Sequence, residues 1–323
     1  RVADSIKELQ REFSGNSFHL HTYMGVYEIR DRDEAVSIMV DKANIAADTI
    51  KNNYDCCVAY YDEHLLEISI EQRRLLGEFE PALQNDEFVM YLQPQVKRDG
   101  AAKGAEALVR WVHPSRGILT PYAFIDILEN AGLIYKLDLY IWEKAAQKLA
   151  EWKEKGYGSY HISVNISTKD FYIIDIYETF TGLINKYGIA ASNLHLEITE
   201  TTLMTDFEKN MNIIHKLQDV GFRVEIDDFG SGYSSLNMLK DISADVLKID
   251  MGFLRKSENE VKGQDILESI ITLAGKIGMD VITEGVETKK QLDMLTMMGC
   301  HEFQGYYFSK PVPVSEFEEK YLV

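Results

Sequence analysis

The 323-residue chain has only three cysteines, Cys56, Cys57 and Cys300. They form neither a CxxC pair nor an even set. That excludes a disulfide scaffold and a zinc ribbon, and suits a reducing cytosol. No uninterrupted apolar run approaches the ~20 residues of a membrane-spanning helix. Positive charge is scarce: 34 Lys and Arg stand against 52 Asp and Glu, a formal net charge of -18. So acidic a surface repels DNA and anionic membranes. A phosphate substrate would need bound divalent cations, rather than a basic face, to neutralise it. A signal-peptide pattern is also missing, and the first residue is Arg1 rather than Met. We expect a piece cut from a longer, cytoplasmic protein, with an upstream sensor or membrane region left open.

Hydrophobic residues make up 46% of the chain and charged residues 27%, which supplies a core and excludes global disorder. At ~150 residues per domain the length suggests about two domains, although one α/β barrel could use most of it. Residues 1–61 read as a small αβαβ fragment. Val2 to Phe13 has helical spacing, Phe18 to Tyr23 alternates like a strand, Asp33 to Asn52 is helix-like, and Cys56 to Tyr61 is a short apolar strand. In the second helix Ala35, Ile38, Met39, Ala43, Ile45 and Ala46 share the apolar side. Residues 62–83 read as a linker helix. Residues 84–323 alternate short β-rich segments with longer amphipathic ones. Strands are expected at 88–96, 105–111, 161–167, 194–199, 222–228, 246–250, 280–284 and 302–308. Helical patterns such as Leu137–Lys155, Phe207–Val220 and Gln264–Ile277 lie between them. About eight strands in roughly 235 residues is the size and order of an irregular TIM (β/α)8 barrel. A doubly wound sheet would usually carry a Gly-rich phosphate loop after its first strand, and none is present. The short link at Asp99-Gly100 has no room for a helix, so the first two strands should pair antiparallel.

In such a barrel chemistry collects at the C-terminal strand ends. Alternation turns Asn165, Glu197 and Lys248 inward, because their neighbours on either side are apolar and face the helices, and in Val224-Glu-Ile-Asp-Asp228 it turns Asp227 inward. Glu106 and Arg110 share one inward face, Glu284 ends its strand, Asp228 sits at the rim, and Gln304 lies in the last strand. Any one of these residues could be a satisfied structural polar group. Several carboxylates buried together cost more than their mutual contacts return unless cations bind them. Oxygen ligands without His or Cys indicate Mg2+ or Mn2+ rather than Zn2+. Adjacent Asp227 and Asp228 suit one or two such ions, and paired ions are built for in-line attack on a phosphodiester. Glu225 is also inward and is expected to form a buried polar pair with His195 or His161, with a further metal ligand as the alternative.

These residues sit in motifs that resemble the EAL family of cyclic-di-GMP phosphodiesterases over residues 79–323. The motifs are Gln93-Pro94, Glu106-Ala-Leu-Val-Arg110, Val164-Asn-Ile-Ser167, Glu197-Ile-Thr-Glu200, Asp227-Asp-Phe-Gly-Ser-Gly-Tyr-Ser-Ser235, Lys248-Ile-Asp250, Glu284-Gly-Val-Glu287 and Gln304-Gly-Tyr306. The resemblance implies an irregular TIM barrel that cleaves cyclic-di-GMP to linear pGpG with Mg2+ or Mn2+. It implies one ion on Glu106, Asn165, Glu197 and Asp227, and a second on Asp227, Asp228 and Glu284. Lys248, with a depressed pKa, would position or help deprotonate the attacking water, so that Lys248, Glu284 and Asp228 carry the chemistry. Gln93, Arg110 and Gln304 would bind substrate. Gly230, Ser231 and Gly232 would form a flexible loop held by Glu200 beside a homodimer interface, with Glu287 structural. Ser231 replaces the family's usual Thr, and Asp126 stands where Pro is usual. The N-terminal piece resembles the last part of a GGDEF domain through Tyr23-Met-Gly-Val-Tyr27, the helix around Asp41 to Ala46 and the Tyr54–Tyr61 strand. The cyclase signature itself is absent, so cyclase activity is not implied.

Three readings result. The first is an active metal-dependent phosphodiesterase. The second is a catalytically silent cyclic-di-GMP receptor using the same pocket, which would lose metal ligands or the loop motif. The third is a different barrel enzyme acting on a small phospho-metabolite.

Overall fold

The computed structural model describes residues 22–51, 57–229, 242–252 and 260–322. The chain divides into two compact units, Arg1–Glu80 and Pro81–Val323. The division falls inside one helix, Glu63–Gln84, at its internal proline Pro81.

In the first unit, strands β1 (Met24–Val26) and β2 (Val58–Tyr60) pair in parallel, with helix Val36–Asp48 between them in sequence. Gly25 permits the helix to lie on the strand: a Cβ there would fall 1.7 Å from the Ala43 carbonyl oxygen. The expected apolar side of this helix is only partly covered. Ala46 is buried, while Ile38 is 47% exposed. The expected helix Val2–Phe13 and most of the Phe18–Tyr23 segment lie outside the described residues; Thr22 and Tyr23 are irregular, and the strand starts at Met24. Tyr54 and Cys56 also lie outside them.

The second unit is a barrel closed by eight strands. They are β3 (Phe88–Lys97), β4 (Ala102–His113), β6 (His161–Ile166), β7 (Leu194–Thr199), β8 (Val224–Phe229), β9 (Val246–Asp250), β10 (Asp280–Glu284) and β11 (Glu302–Phe303). Two short strands, β5 (Gly117–Leu119) and β12 (Val312–Pro313), extend it at β4 and β3. β3 runs antiparallel to both neighbours, β4 and β11, and the other barrel pairings are parallel. The irregularity is therefore the one anticipated at Asp99-Gly100. The β3–β4 link is too short to cross over.

Alternation builds the barrel wall. Ile162, Val164, Leu194, Leu196, Ile198, Val224, Ile226 and Leu247 are 0% exposed, packed outward under the helices. Helix Ile134–Glu154 docks through Trp142, whose indole Nε1 donates to the Asn165 carbonyl at 2.9 Å. At ~25 cal/mol per Å2, one such aromatic contributes several kcal/mol of burial. The inner positions are left polar, which is what makes a site. The last strand is shorter than expected: it ends at Phe303 rather than 308. Gly305 approaches the segment after β10 so closely that a Cβ would fall 2.3 Å from the backbone of Val286. Among the described residues no helix is long and apolar enough to cross a membrane.

Candidate active site at the barrel mouth

Lys248 lies between outward-packed Leu247 and Ile249, so its side chain enters the barrel and is 0% exposed. Its ammonium stands 2.8 Å from Glu284 Oε1, 2.9 Å from Glu197 Oε2, 3.4 Å from Asp227 Oδ1 and 3.5 Å from Glu106 Oε2. Four carboxylates from four strands share one cation. Amides complete the ring. Asn165 Nδ2 donates to Glu106 Oε1 at 3.1 Å. Gln304 Nε2 donates to Glu106 Oε2 at 2.5 Å and to Gln93 Oε1 at 3.3 Å. Gln93 in turn donates to the Ser309 carbonyl at 3.4 Å.

This crowding shows in the protonation of the groups. Burial, then the charges of Glu106, Glu225 and Asp227, push Glu197 well above the carboxylate range despite Lys248. Burial, Asp227 and Glu106 push Glu284 up to about 8, against the pull of Lys248. Burial and then Asp227 and Asp250 raise Asp228. For Lys248, burial favours the neutral amine, but Asp227, Glu106, Glu197 and Glu284 outweigh it and hold the ammonium well above its ordinary range. The expected depression of Lys248 is thereby corrected: four carboxylates within ion-pair reach dominate over burial.

The other anticipated residues are placed as follows. Asp228 is exposed at the rim with φ 56, a left-handed conformation that Asp tolerates better than most residues. The β8–β9 register shifts between Ile226 and Phe229, around this residue. Arg110 is half-buried; its Nη1 donates to the Val109 carbonyl at 2.8 Å, and its guanidinium carbon lies 5.4 Å from the Tyr91 ring centroid. Glu200 opens the helix Glu200–Thr205 behind its cap Thr199, and Glu287 is exposed with its backbone N–H on Gln291 Oε1 at 2.9 Å. Neither belongs to the carboxylates that reach Lys248. Gly230, Ser231 and Gly232 lie outside the described residues.

Two buried oxygens at the mouth have no partner, Oε1 of Glu197 and Oε1 of Gln304, while Glu197 Oε2, Asp227 Oδ1 and Glu284 Oε1 face the one shared Lys248 ammonium. Orphaned buried acceptors are costly. An all-oxygen set with one ammonium among four carboxylates is a donor set for hard divalent cations, and these residues fit them.

Sequence reasoning missed three features. Gln95 and Ser163 join a second polar layer toward the barrel base; Ser163 lies two residues from inward Asn165, so alternation could have found it, while Gln95 follows Gln93, which only the resemblance singled out. Asp250, two residues beyond Lys248, accepts from the Gly252 N–H and adds its charge beside Asp228. Asp138 hydrogen-bonds with the fully buried Asp170, and burial followed by Asp170 raises Asp138 well above its usual range. The Glu225 expectation holds for His195, whose Nδ1 is 2.6 Å from Glu225 Oε1. His161 instead stacks on His195 with ring centroids 3.8 Å apart.

Known proteins resemble this chain in sequence and fold. The sequence model of the EAL domain matches residues 77–311. The bifunctional diguanylate cyclase/cyclic di-GMP phosphodiesterase MucR of Pseudomonas aeruginosa is 32% identical over 272 residues, covering 84% of this chain and 39% of that protein. The cyclic di-GMP phosphodiesterase PdeR of Escherichia coli is 33% identical over 240 residues, covering 74% of this chain and 36% of that protein. The solved structure of the PaMucR phosphodiesterase in complex with c-di-GMP superposes with a TM-score of 0.72 at 33% identity, covering 76% of this chain and 99% of that one. The chain spans less than half the length of both curated relatives.

Proposed function

The chain belongs to the EAL domain family, and from that premise we propose that it is a metal-dependent phosphodiesterase that hydrolyses cyclic-di-GMP to linear pGpG. The observation that carries this reading is the cluster of Glu106, Glu197, Asp227 and Glu284 around the single cation Lys248, with Glu197 Oε1 and Gln304 Oε1 buried and unpartnered. Glu106, Asn165, Glu197 and Asp227 would hold one Mg2+ or Mn2+, and Asp227, Asp228 and Glu284 a second. Such ions, when bound, supply an activated water and charge neutralisation at the scissile phosphate.

The chain's own groups do the rest. Lys248 remains an ammonium, so it donates to and orients the attacking water rather than acting as its base. Gln304 and Asn165 fix Glu106 from both oxygens and hold its orientation. Gln93 and Arg110 bind the dinucleotide, Arg110 through a phosphate. Glu284, whose carboxyl is pushed up to about 8, would need to lose its proton to hold an ion. Hydrolysis breaks one phosphodiester P–O bond, and the water oxygen becomes part of the 5′-phosphate.

The same proposal takes residues 1–61 as the C-terminal fragment of a GGDEF-like domain, 62–83 as a linker helix and 84–323 as the catalytic domain. The parallel β1–β2 pair with its intervening helix supports the first of these. A homodimer through the barrel, a cytoplasmic setting and an upstream sensor or membrane region complete it. The test is pGpG release from cyclic-di-GMP with Mn2+ by the purified chain, and its loss in Glu106→Ala. Tight binding without turnover would make the chain a receptor instead. No affinity for cyclic-di-GMP would point to another phosphorylated substrate.

A further inference from the structure

Below the mouth, the inner positions of three adjacent strands carry a different donor set. His161 opens β6, His195 is the second residue of β7, and Glu225 is the second residue of β8. One ligand atom from each lies within 4.8 Å of the other two. All three side chains are buried: His161 is 9% exposed, His195 3% and Glu225 0%. The cluster holds two unpartnered buried polar atoms, Glu225 Oε2 and Gln95 Nε2. Gln95 Oε1 stands 2.7 Å from His161 Nε2, and Ser163 Oγ donates to Glu225 Oε1 at 3.1 Å. A pocket of about 500 Å3 reaches the three residues from the barrel base, past Tyr160 and Arg223, and so provides an entry path.

We propose that His161, His195 and Glu225 form a second metal site, for a borderline divalent transition ion of the Zn2+ type, separate from the oxygen-donor mouth. Two imidazoles and one carboxylate are a common zinc ligand set, whereas the mouth offers oxygens and suits harder ions. A fourth position faces the pocket and can take a water or Gln95 Oε1. The ligand atoms are close enough for one ion, but the His161 and His195 rings stack nearly parallel with centroids 3.8 Å apart, so one ring must turn for both nitrogens to face it. Two ligands of one tetrahedral zinc lie about 3.3 Å apart for metal–ligand distances near 2.0–2.1 Å. His195 Nδ1 and Glu225 Oε1, at 2.6 Å, need to open slightly, and the third ligand needs to close in. Gly104 makes the arrangement possible, because a Cβ on it would fall 2.5 Å from the His161 ring. An ion here ties β6, β7 and β8 together at the base, and its binding adds to folding stability.

The test uses the whole chain, stripped with a chelator, supplied with saturating Mg2+ and then titrated with Zn2+. One equivalent of Zn2+ should be retained, and His195→Gln and Glu225→Gln should each weaken its affinity by about 100-fold or more. X-ray absorption of the zinc-loaded wild-type chain should show imidazole scattering from two histidines, which the mouth cannot supply and which needs no variant to fold. Failure to retain Zn2+, retention unaffected by both substitutions, or an oxygen-only ligand shell would overturn the proposal.

Discussion

Replacing Asp227 by Asn should separate folding from chemistry. Asp227 Oδ1 is 3.4 Å from the Lys248 ammonium, an attraction of about 4–5 kcal/mol at an effective dielectric near 20. The same carboxylate repels its neighbours: its charge helps raise Glu197, Asp228 and Glu284. Removing it loses one attraction and relieves the repulsion of three neighbouring carboxyl groups, which together offset that attraction. The two effects nearly cancel. In EDTA the variant should unfold within ~1 kcal/mol of wild type, far less than the 3–5 kcal/mol typical when a simple buried ion pair is broken. With Mn2+ the outcome reverses, because Asp227 is the carboxylate shared by both proposed ions. Wild type should gain stability from Mn2+ and the variant much less, and turnover should fall by about 10³-fold or more, the scale of losing one preorganised electrostatic group or beyond. Urea melts with EDTA and with Mn2+, run beside a pGpG assay, measure both. A variant several kcal/mol weaker in EDTA would make Asp227 a structural partner of Lys248. Near-normal turnover would remove the shared-ligand reasoning altogether.

Other perturbations read the same charges. Lys248→Ala should slow turnover by about 10²–10³-fold while leaving cyclic-di-GMP binding measurable; undiminished turnover would clear Lys248 of a role. In EDTA it should also cost about 3–5 kcal/mol, part of which Mn2+ restores, since four carboxylates lose their shared cation. Divalent-ion affinity should climb at least about tenfold per pH unit below 8, because Glu284 is pushed up to about 8 and Glu197 is also raised, and both must be ionised to ligate; calorimetric titrations giving a flat affinity from pH 6 to 8 would refute this. Asp138→Asn should raise the urea midpoint at pH 7. Burial and then Asp170 raise Asp138 well above its ordinary range in the fold, so the wild-type penalty grows as pH rises above ~4 and is absent below it. Equal midpoints at pH 7, or a gain confined to pH 4, would contradict that sign.

The barrel was legible because strand alternation is a local signal. Ile162, Val164 and Ile166 face out, so Asn165 must face in, whatever the rest of the chain does. The same logic placed Glu197, Asp227 and Lys248 before any contact between them was known. Where the expectation failed, the cause was not local. The strand at 302–308 stops at Phe303 because Gly305 approaches Val286, a segment 19 residues earlier. The pKa direction of Lys248 depends on four carboxylates brought from β4, β7, β8 and β10, and neither their number nor their distance is written in the Lys248-Ile-Asp250 stretch. The Asp138–Asp170 pair joins two helices, and helical spacing marks an Asp among apolar neighbours without naming its partner.

The proposed hydrolysis depends on divalent ions entering the ring of oxygens at the barrel mouth. A crystal of the chain soaked in Mn2+ and measured at the manganese edge tests this most directly. It should show anomalous density between Glu106, Glu197 and Asp227, with Lys248 displaced from at least one of its carboxylates. A well-ordered mouth without such density, and Lys248 still bound to all four acids at saturating Mn2+, would contradict it.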